Sequence, residues 1–375
     1  MGEGGENIAA NGPLPSVGGR WGLDRNELIR EKREMNEAII RADASPIECD
    51  RQRPIDISAF FQTGPTPKHA QDAVVDKIVR ASMAKACFDI SGHGIDQLEL
   101  AMHLLQAEKL FKLDLKSKLE MRGTKSRGYR VVQDAGYFGR PGPRNLREVW
   151  TAGPTRNQSC TPAPRDENKY PSSDLLQSFE PSMVSLFAKL QNVETVMNII
   201  FSRVLNKLTV QRIPDSFLSD AYKPNNALLH LSSHPPTRSQ VLQPGHTDLS
   251  TYTITHSNTP GLQCIVNDKW YEYAPNQGAL TILCGDLLQL WSSGKIPSCI
   301  HRDVSTGVPC RRLRISYLPS QELELERNPV KPTQVENRDK TLKISAKDFK
   351  QQKQVAVSRG KKRFRSSGAV QVDER

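Results

Sequence analysis

From residue 182 to 205, apolar side chains recur at alternating intervals of four and three: Leu186, Leu190, Val193, Met197, Ile200 and Val204. That period predicts a long helix with one buried face. Residues 70–86 carry a shorter version of it (Val74, Val75, Ile78, Val79, Met83, Ala86), and a further helix is expected from 96 to about 121. Residues 24–43 are charged and helix-prone with a weak apolar stripe. Residues 54–61 and 87–90 read as short strands, the second stopped by Gly92-His93-Gly94. Residues 123–167, rich in Gly, Pro and Arg, read as loop. Past Ile213-Pro214 the texture changes to short runs of Leu, Ile, Val, Thr and Tyr at 227–231, 251–255, 262–266, 270–273, 279–284 and 313–318. Such runs, parted by Gly, Pro, Asn and Asp, predict a β-sandwich or barrel, which a jelly roll is one way to close.

The formal net charge of +11 suggests an acidic partner until it is located. Residues 331–375 hold thirteen Lys and Arg against five Asp and Glu, so +8 of the excess is a tail containing Lys361-Lys362-Arg363-Phe364-Arg365. The remaining body is close to neutral and offers no nucleic-acid footprint. A solvated tail is the first reading of the basic run, and an acidic partner or nuclear import is the second. No apolar run reaches the ~20 residues of a membrane span, and residues 1–15 lack the pattern of a signal peptide. The expected setting is the cytoplasm, with the nucleus open through the tail. Seven scattered cysteines, an odd number with no CxxC pair, predict reduced thiols and no disulfide framework. Residues 1–20 are expected to be disordered.

The chemistry concentrates in Gly245-His246-Thr247-Asp248, followed 53 residues later by His301. On a strand, residues i and i+2 share a face, so His246 and Asp248 are expected side by side, with His301 on a strand returning past them. Two histidines and a carboxylate form the facial triad of non-haem Fe(II) oxygenases and leave positions open for O2 and a co-substrate. An isolated HxD occurs often by chance. Arg314-Ile315-Ser316 changes the picture, because a guanidinium fork beside a hydroxyl grips a carboxylate bidentately. Arg312-x-Arg314 offers a rival register without the hydroxyl. His93, His256, His69 and His103 read as structural or surface histidines. Asp286 reads as a turn residue bordering the site, and Arg127, Arg130, Arg140, Arg144 and Arg147 as a solvated basic loop.

In this order the motifs resemble the Fe(II)/2-oxoglutarate-dependent dioxygenases of the isopenicillin N synthase-like family, from about Arg53 to Ser320. The resemblance rests on RPIDISAFF, ACFDISGHGI, Gly128-Tyr129, Arg147-Glu148, PGHTDLSTYTITH, TPGLQC, GALTILCGDLLQLWSSGKIPSCIHR and RISYL. It implies a mixed α+β fold whose core is a double-stranded β-helix, or jelly roll, flanked by N-terminal helices. It divides the chain into a disordered and helical extension (1–52), a helical and mixed region (53–210), the jelly-roll core (211–330) and a C-terminal helix with basic tail (331–375). It implies His246, Asp248 and His301 as iron ligands and Arg314 with Ser316 as partners of the distal 2-oxoglutarate carboxylate. O2 is then the second co-substrate, ascorbate a reductant, and the reaction C–H oxidation of a small organic molecule in specialised metabolism. Where family members carry Asn-x-Tyr, this chain has Ser232 and His234; a hold on 2-oxoglutarate and a purely structural role both stay open for them. Two rival functions also stay open: an oxidase that uses the triad without 2-oxoglutarate, and a non-catalytic binding protein on the same fold.

Overall fold

The long amphipathic helix lies across a sheet, and its contacts organise the rest of the chain. The structure is a computed structural model that describes residues 25–44, 47–50, 53–62, 67–123, 127–133, 146–154, 167–210, 212–222, 226–234, 241–305 and 311–319. The first part contains α1 (Arg25–Asp43), β1 (Glu48–Asp50), β2 (Ile55–Asp56), a 3-10 turn (Ser58–Phe60), α2 (Lys68–Lys85), β3 (Cys87–Ser91), α3 (Gln97–Lys112), α4 (Leu115–Glu120), β4 (Gly128–Gln133) and β5 (Leu146–Ala152). Then come α5 (Ser173–Leu176), α6 (Phe179–Leu208) and α7 (Phe217–Ala221). The last part holds β6 (Leu228–His234), β7 (Val241–His246), β8 (Tyr252–Ser257), β9 (Leu262–Val266), β10 (Lys269–Tyr273), β11 (Leu280–Cys284), α8 (Asp286–Trp291), β12 (His301–Val304) and β13 (Arg312–Leu318).

β6 to β13 alternate between two sheets, except that β9 and β10 form a hairpin within one of them. One runs β1-β10-β9-β12-β7, and the other β2-β3-β11-β8-β13-β6-β5-β4. The interleaving of β10-β9-β12-β7 with β11-β8-β13-β6 is that of a double-stranded β-helix, as expected. Apart from the parallel edge strands β1 and β2, neighbouring strands pair antiparallel.

On α6 the predicted stripe is buried, together with Phe179, Met183, Phe187 and Phe201. Phe187 packs edge-on to Tyr317 of β13, with ring centroids 5.5 Å apart, and Phe201 lies 5.1 Å from Tyr252 of β8. The polar ends of both tyrosines are met by α6 itself: Tyr317 donates to Glu194 and Tyr252 to Asn198. On the opposite sheet, α1 seats Met35, Ile39 and Ala42 against Trp270. Asp43 accepts hydrogen bonds from Trp270 Nε1 and Arg302, whose guanidinium stacks on the indole at 3.9 Å.

Four local expectations need correction. The helix from 96 to 121 is two helices, because Leu113 is extended and Asp114 caps α4 by accepting from the Ser117 N–H at 3.0 Å. The strand expected at 54–61 is only two residues long, since Asp56 accepts from the Ser58 N–H and turns the chain into the 3-10 turn. Residues 123–167 are not all loop: β4 and β5 extend the larger sheet, tied by Glu148 accepting from Lys118, Tyr129 and Arg311. His103, expected at a helix surface, is buried, where it meets Ser182 Oγ at 2.8 Å. The disorder expected for 1–20, the helix expected within 340–357 and the basic tail fall outside the described residues. No helix among the described residues is long and apolar enough to cross a membrane.

Phe201→Ala removes a fully buried ring from the helix–sheet interface and should cost about 3–5 kcal/mol in urea unfolding. On β6, burial pushes His230 down to about 3, helped by Arg130, Arg147 and Arg314. Burial likewise pushes His234 down to about 3, against the pull of Asp303. Unfolded histidines titrate near 6.5, so between about 6.5 and 3 the unfolded chain binds the extra protons. The share of metal-free stability that these two histidines set should be level above pH about 6.5 and fall as pH drops through that window. The melting temperature followed from pH 7.5 to 4.5 should show this, with a shallower acid limb in His230→Gln.

Candidate active site

β7 ends at His246 and β12 begins at His301, and the two residues are direct antiparallel partners. Directly opposed residues share a face, so the pairing sets the two rings 4.2 Å apart inside the barrel. Each ring is fixed by its own backbone. His246 Nδ1 donates to the Pro244 carbonyl at 2.9 Å, and His301 Nδ1 to the Cys299 carbonyl at 3.1 Å. With the protons held on Nδ1, both Nε2 atoms turn toward Asp248, at 3.8 Å from Oδ1 and 4.0 Å from Oδ2.

Asp248 lies beyond the end of β7, not on the strand as expected. Its position comes from the next turn: Asp286, at the start of α8, donates its N–H to the Asp248 carbonyl at 2.9 Å, and Thr253 Oγ1 donates to Asp248 Oδ2 at 2.6 Å. The approach leaves no space for a side chain at Gly285, where a Cβ would collide with the Ser250 carbonyl. The ligand atoms of His246, Asp248 and His301 all lie within 4.8 Å of one another. Burial pushes His246 down, and the neighbouring His301 charge adds to this. Burial also disfavours charge on His301, but the Asp248 carboxylate and Cys299 outweigh it and hold that ring protonated. A metal entering here displaces that proton. Two fixed imidazole lone pairs and an ionised carboxylate fit Fe(II) by donor type and separation.

A second wall is built by β13 and β6, where Arg312 opposes His234, Arg314 opposes Ser232 and Ser316 opposes His230. Ser232, His234 and Ser316 are buried on this wall. Ser316 Oγ is 3.3 Å from Thr255 Oγ1. Among the described residues, four buried nitrogens here find no hydrogen-bond partner: His230 Nε2, His234 Nε2, Arg312 Nε and Arg314 Nε. Buried donors are rarely left unsatisfied, and this group of them fits a carboxylate-bearing ligand such as 2-oxoglutarate.

Residues that motif reading did not single out complete the wall. Asp303, two positions after His301 and therefore on its face, accepts from Arg312 Nη2 at 3.0 Å and Arg314 Nη1 at 2.7 Å, with His234 Nε2 3.8 Å away. Burial opposes its charge, yet Arg314 and Arg312 hold its carboxyl far below the usual range. Gln243 bridges the two walls: its Oε1 accepts from Arg147 Nη1 at 3.1 Å and lies 3.4 Å from Arg314 Nη2, while its amide donates to His246 Nε2 at 2.9 Å. Strand parity is the sequence signal for Asp303; the shifts of register in the β7–β12 pairing hide Gln243.

Of the basic loop, Arg130 and Arg147 face this wall, close enough to His230 to act on its charge. Arg127 is buried over Gly153 instead, and Arg140 and Arg144 fall outside the described residues. His93 and His256 hydrogen-bond to the carbonyls of Gly278 and Ala279, as structural histidines. Behind the site, Cys87, Cys264 and Cys299 bring three buried sulfurs within 4.8 Å of one another. They and Cys284 are free thiols.

Comparison with known proteins agrees with this arrangement. The profile of the 2OG-Fe(II) oxygenase superfamily matches residues 214–317, and that of the non-haem dioxygenase in morphine synthesis N-terminal region matches 54–173. Gibberellin 3-beta-dioxygenase 4 of Arabidopsis thaliana is 29% identical over 260 residues, a match spanning 64% of this chain and 66% of that enzyme. Gibberellin 2-beta-dioxygenase 8 of the same plant is 24% identical over 346 residues, spanning 89% and 91%. A full-length Neurospora crassa protein crystallised in complex with alpha-KG shares the fold at a TM-score of 0.64 and 19% identity, covering 80% of this chain and 95% of its own. Both halves of the chain match profiles of one enzyme family, and its donor set suits that family's metal: the chain belongs to the 2OG-Fe(II) oxygenase superfamily, as a dioxygenase that uses Fe(II) and 2-oxoglutarate.

Proposed function

We propose that this enzyme oxidises a C–H bond of a small organic acid, with His246, Asp248 and His301 as iron ligands and Arg314 with Ser316 receiving the distal carboxylate of 2-oxoglutarate. The observation that carries the reading is the pair of imidazoles locked through Nδ1, each turning Nε2 toward the Asp248 carboxylate. Bound iron supplies O2 activation coupled to the oxidative decarboxylation of 2-oxoglutarate and delivers the oxidising equivalent to the substrate. The chain's own residues do the positioning. Thr253 fixes the Asp248 carboxylate, the Pro244 and Cys299 carbonyls fix the rings, and Gln243, whose amide meets His246 Nε2, would have to release that lone pair for a metal to be held there.

A small molecule is favoured by the related gibberellin dioxygenases. Its acidic group is argued from charge: Arg130, Arg147, Arg312 and Arg314 gather around the pocket against Asp248 and Asp303. The iron adds two positive charges and 2-oxoglutarate removes two, so a positive excess is left for the substrate.

Replacing His246, Asp248 or His301 by Ala should abolish both turnover and stoichiometric Fe(II) retention on anaerobic dialysis; full activity in Asp248→Ala rules the assignment out. Arg314→Gln exposes the Asp303 charge to the distal carboxylate. It should weaken 2-oxoglutarate binding at least about tenfold by calorimetry, the loss expected of a charge-assisted pair.

A further inference from the structure

Asp303 is an ion in the interior. It is 1% exposed, and it projects from β12 in one sheet to two arginines on β13 in the other. The two arginines are held unequally. Arg312 is anchored as well by the carbonyls of Thr259 and Pro260 and by Ser257 Oγ. Among the described residues, Arg314 has only Asp303 on Nη1 and a long contact from Nη2 to Gln243 at 3.4 Å, and its buried Nε has no acceptor. A guanidinium presents an end-on edge (Nη1 and Nη2) and a side-on edge (Nε and Nη2) to carboxylates. Asp303 engages only Nη1 of the first, and the second carries only the long Gln243 contact at Nη2.

We propose that Asp303 is the specificity-determining residue for the 2-oxo acid: by sharing Arg314, it weakens the hold on a distal carboxylate and lets 2-oxo acids without one bind nearly as well as 2-oxoglutarate. The proposal rests on Arg314 as the partner of that carboxylate. Two anions on one guanidinium repel each other, and the low dielectric of the interior enlarges the repulsion. A 2-oxo acid ending in a methyl group avoids it while keeping its 2-oxo carboxylate end. The competing account makes Asp303 a strut that only holds the two sheets together. A strut influences both kinds of 2-oxo acid equally, whereas a shared clamp discriminates between them.

The test is anaerobic calorimetry of the Fe(II)-loaded full chain with 2-oxoglutarate and with 2-oxopentanoate, which has the same carbon chain and no distal carboxylate. An unshared fork favours the diacid by roughly a hundredfold. The shared one should favour it less than about tenfold in the wild type. In Asp303→Asn the preference should widen by at least about tenfold, through tighter binding of 2-oxoglutarate. A wild-type preference above about tenfold overturns the proposal without needing any variant to fold. Equal changes in both affinities in Asp303→Asn also overturn it, in favour of the strut. If Arg314→Gln binds 2-oxoglutarate as the wild type does, the clamp assignment itself fails, a result separable from the other two.

Discussion

The antiparallel pairing of β7 with β12 is the constraint on which the site depends. It places His246 opposite His301, so two imidazoles 55 positions apart in sequence share one face with 4.2 Å between their rings. Neither ring then needs a loop to aim it, because each Nδ1 is held by a carbonyl two residues earlier in its own segment. The Asp248 carboxylate is placed differently. Asp248 stands off the strand end and depends on α8 and Thr253 to bring its carboxylate between the rings. Strand pairing is stiff and a strand end is less so, and hydrogen bonds from two separate elements make up the difference.

The wall built by β6 and β13 depends instead on the stacking of two sheets. Asp303, Arg312 and Arg314 form an ion group that crosses the barrel interior, where unpaired charges are costly. Two guanidiniums against one carboxylate leave a positive excess beside the metal site. Gln243 ties this wall to the first, reaching both His246 and Arg314. Binding at one end of the pocket is therefore linked to side-chain positions at the other through a single amide.

Much of this was legible in the sequence because the core strands are apolar runs bounded by turn residues, and because His246, Asp248, His301, Arg314 and Ser316 fall in motifs. β4 and β5 were not. Arg130, Gln133, Arg147 and Glu148 break their apolar alternation, since one face of these strands meets a polar pocket and the Glu148 knot. The break at Leu113 carries no glycine or proline, so helix periodicity runs through it unseen. Asp303 could be placed on the face of His301 by parity alone. That it engages Arg314 depends on the distance between two sheets, which no local pattern encodes. Gln243 was hidden by the shifted register of its strand.

The central claim is that iron is held by two imidazoles and one carboxylate. The structure also offers a soft alternative, since Cys264 is the other cross-strand partner of His301 and belongs to the Cys87–Cys264–Cys299 sulfur group. Thiolate and imidazole–carboxylate sites differ in the atoms that scatter around the metal. X-ray absorption of the Fe(II)-loaded chain should show a nitrogen and oxygen shell with two imidazoles and no sulfur. A sulfur shell that survives in Asp248→Ala would place the metal in the thiol group and contradict the account.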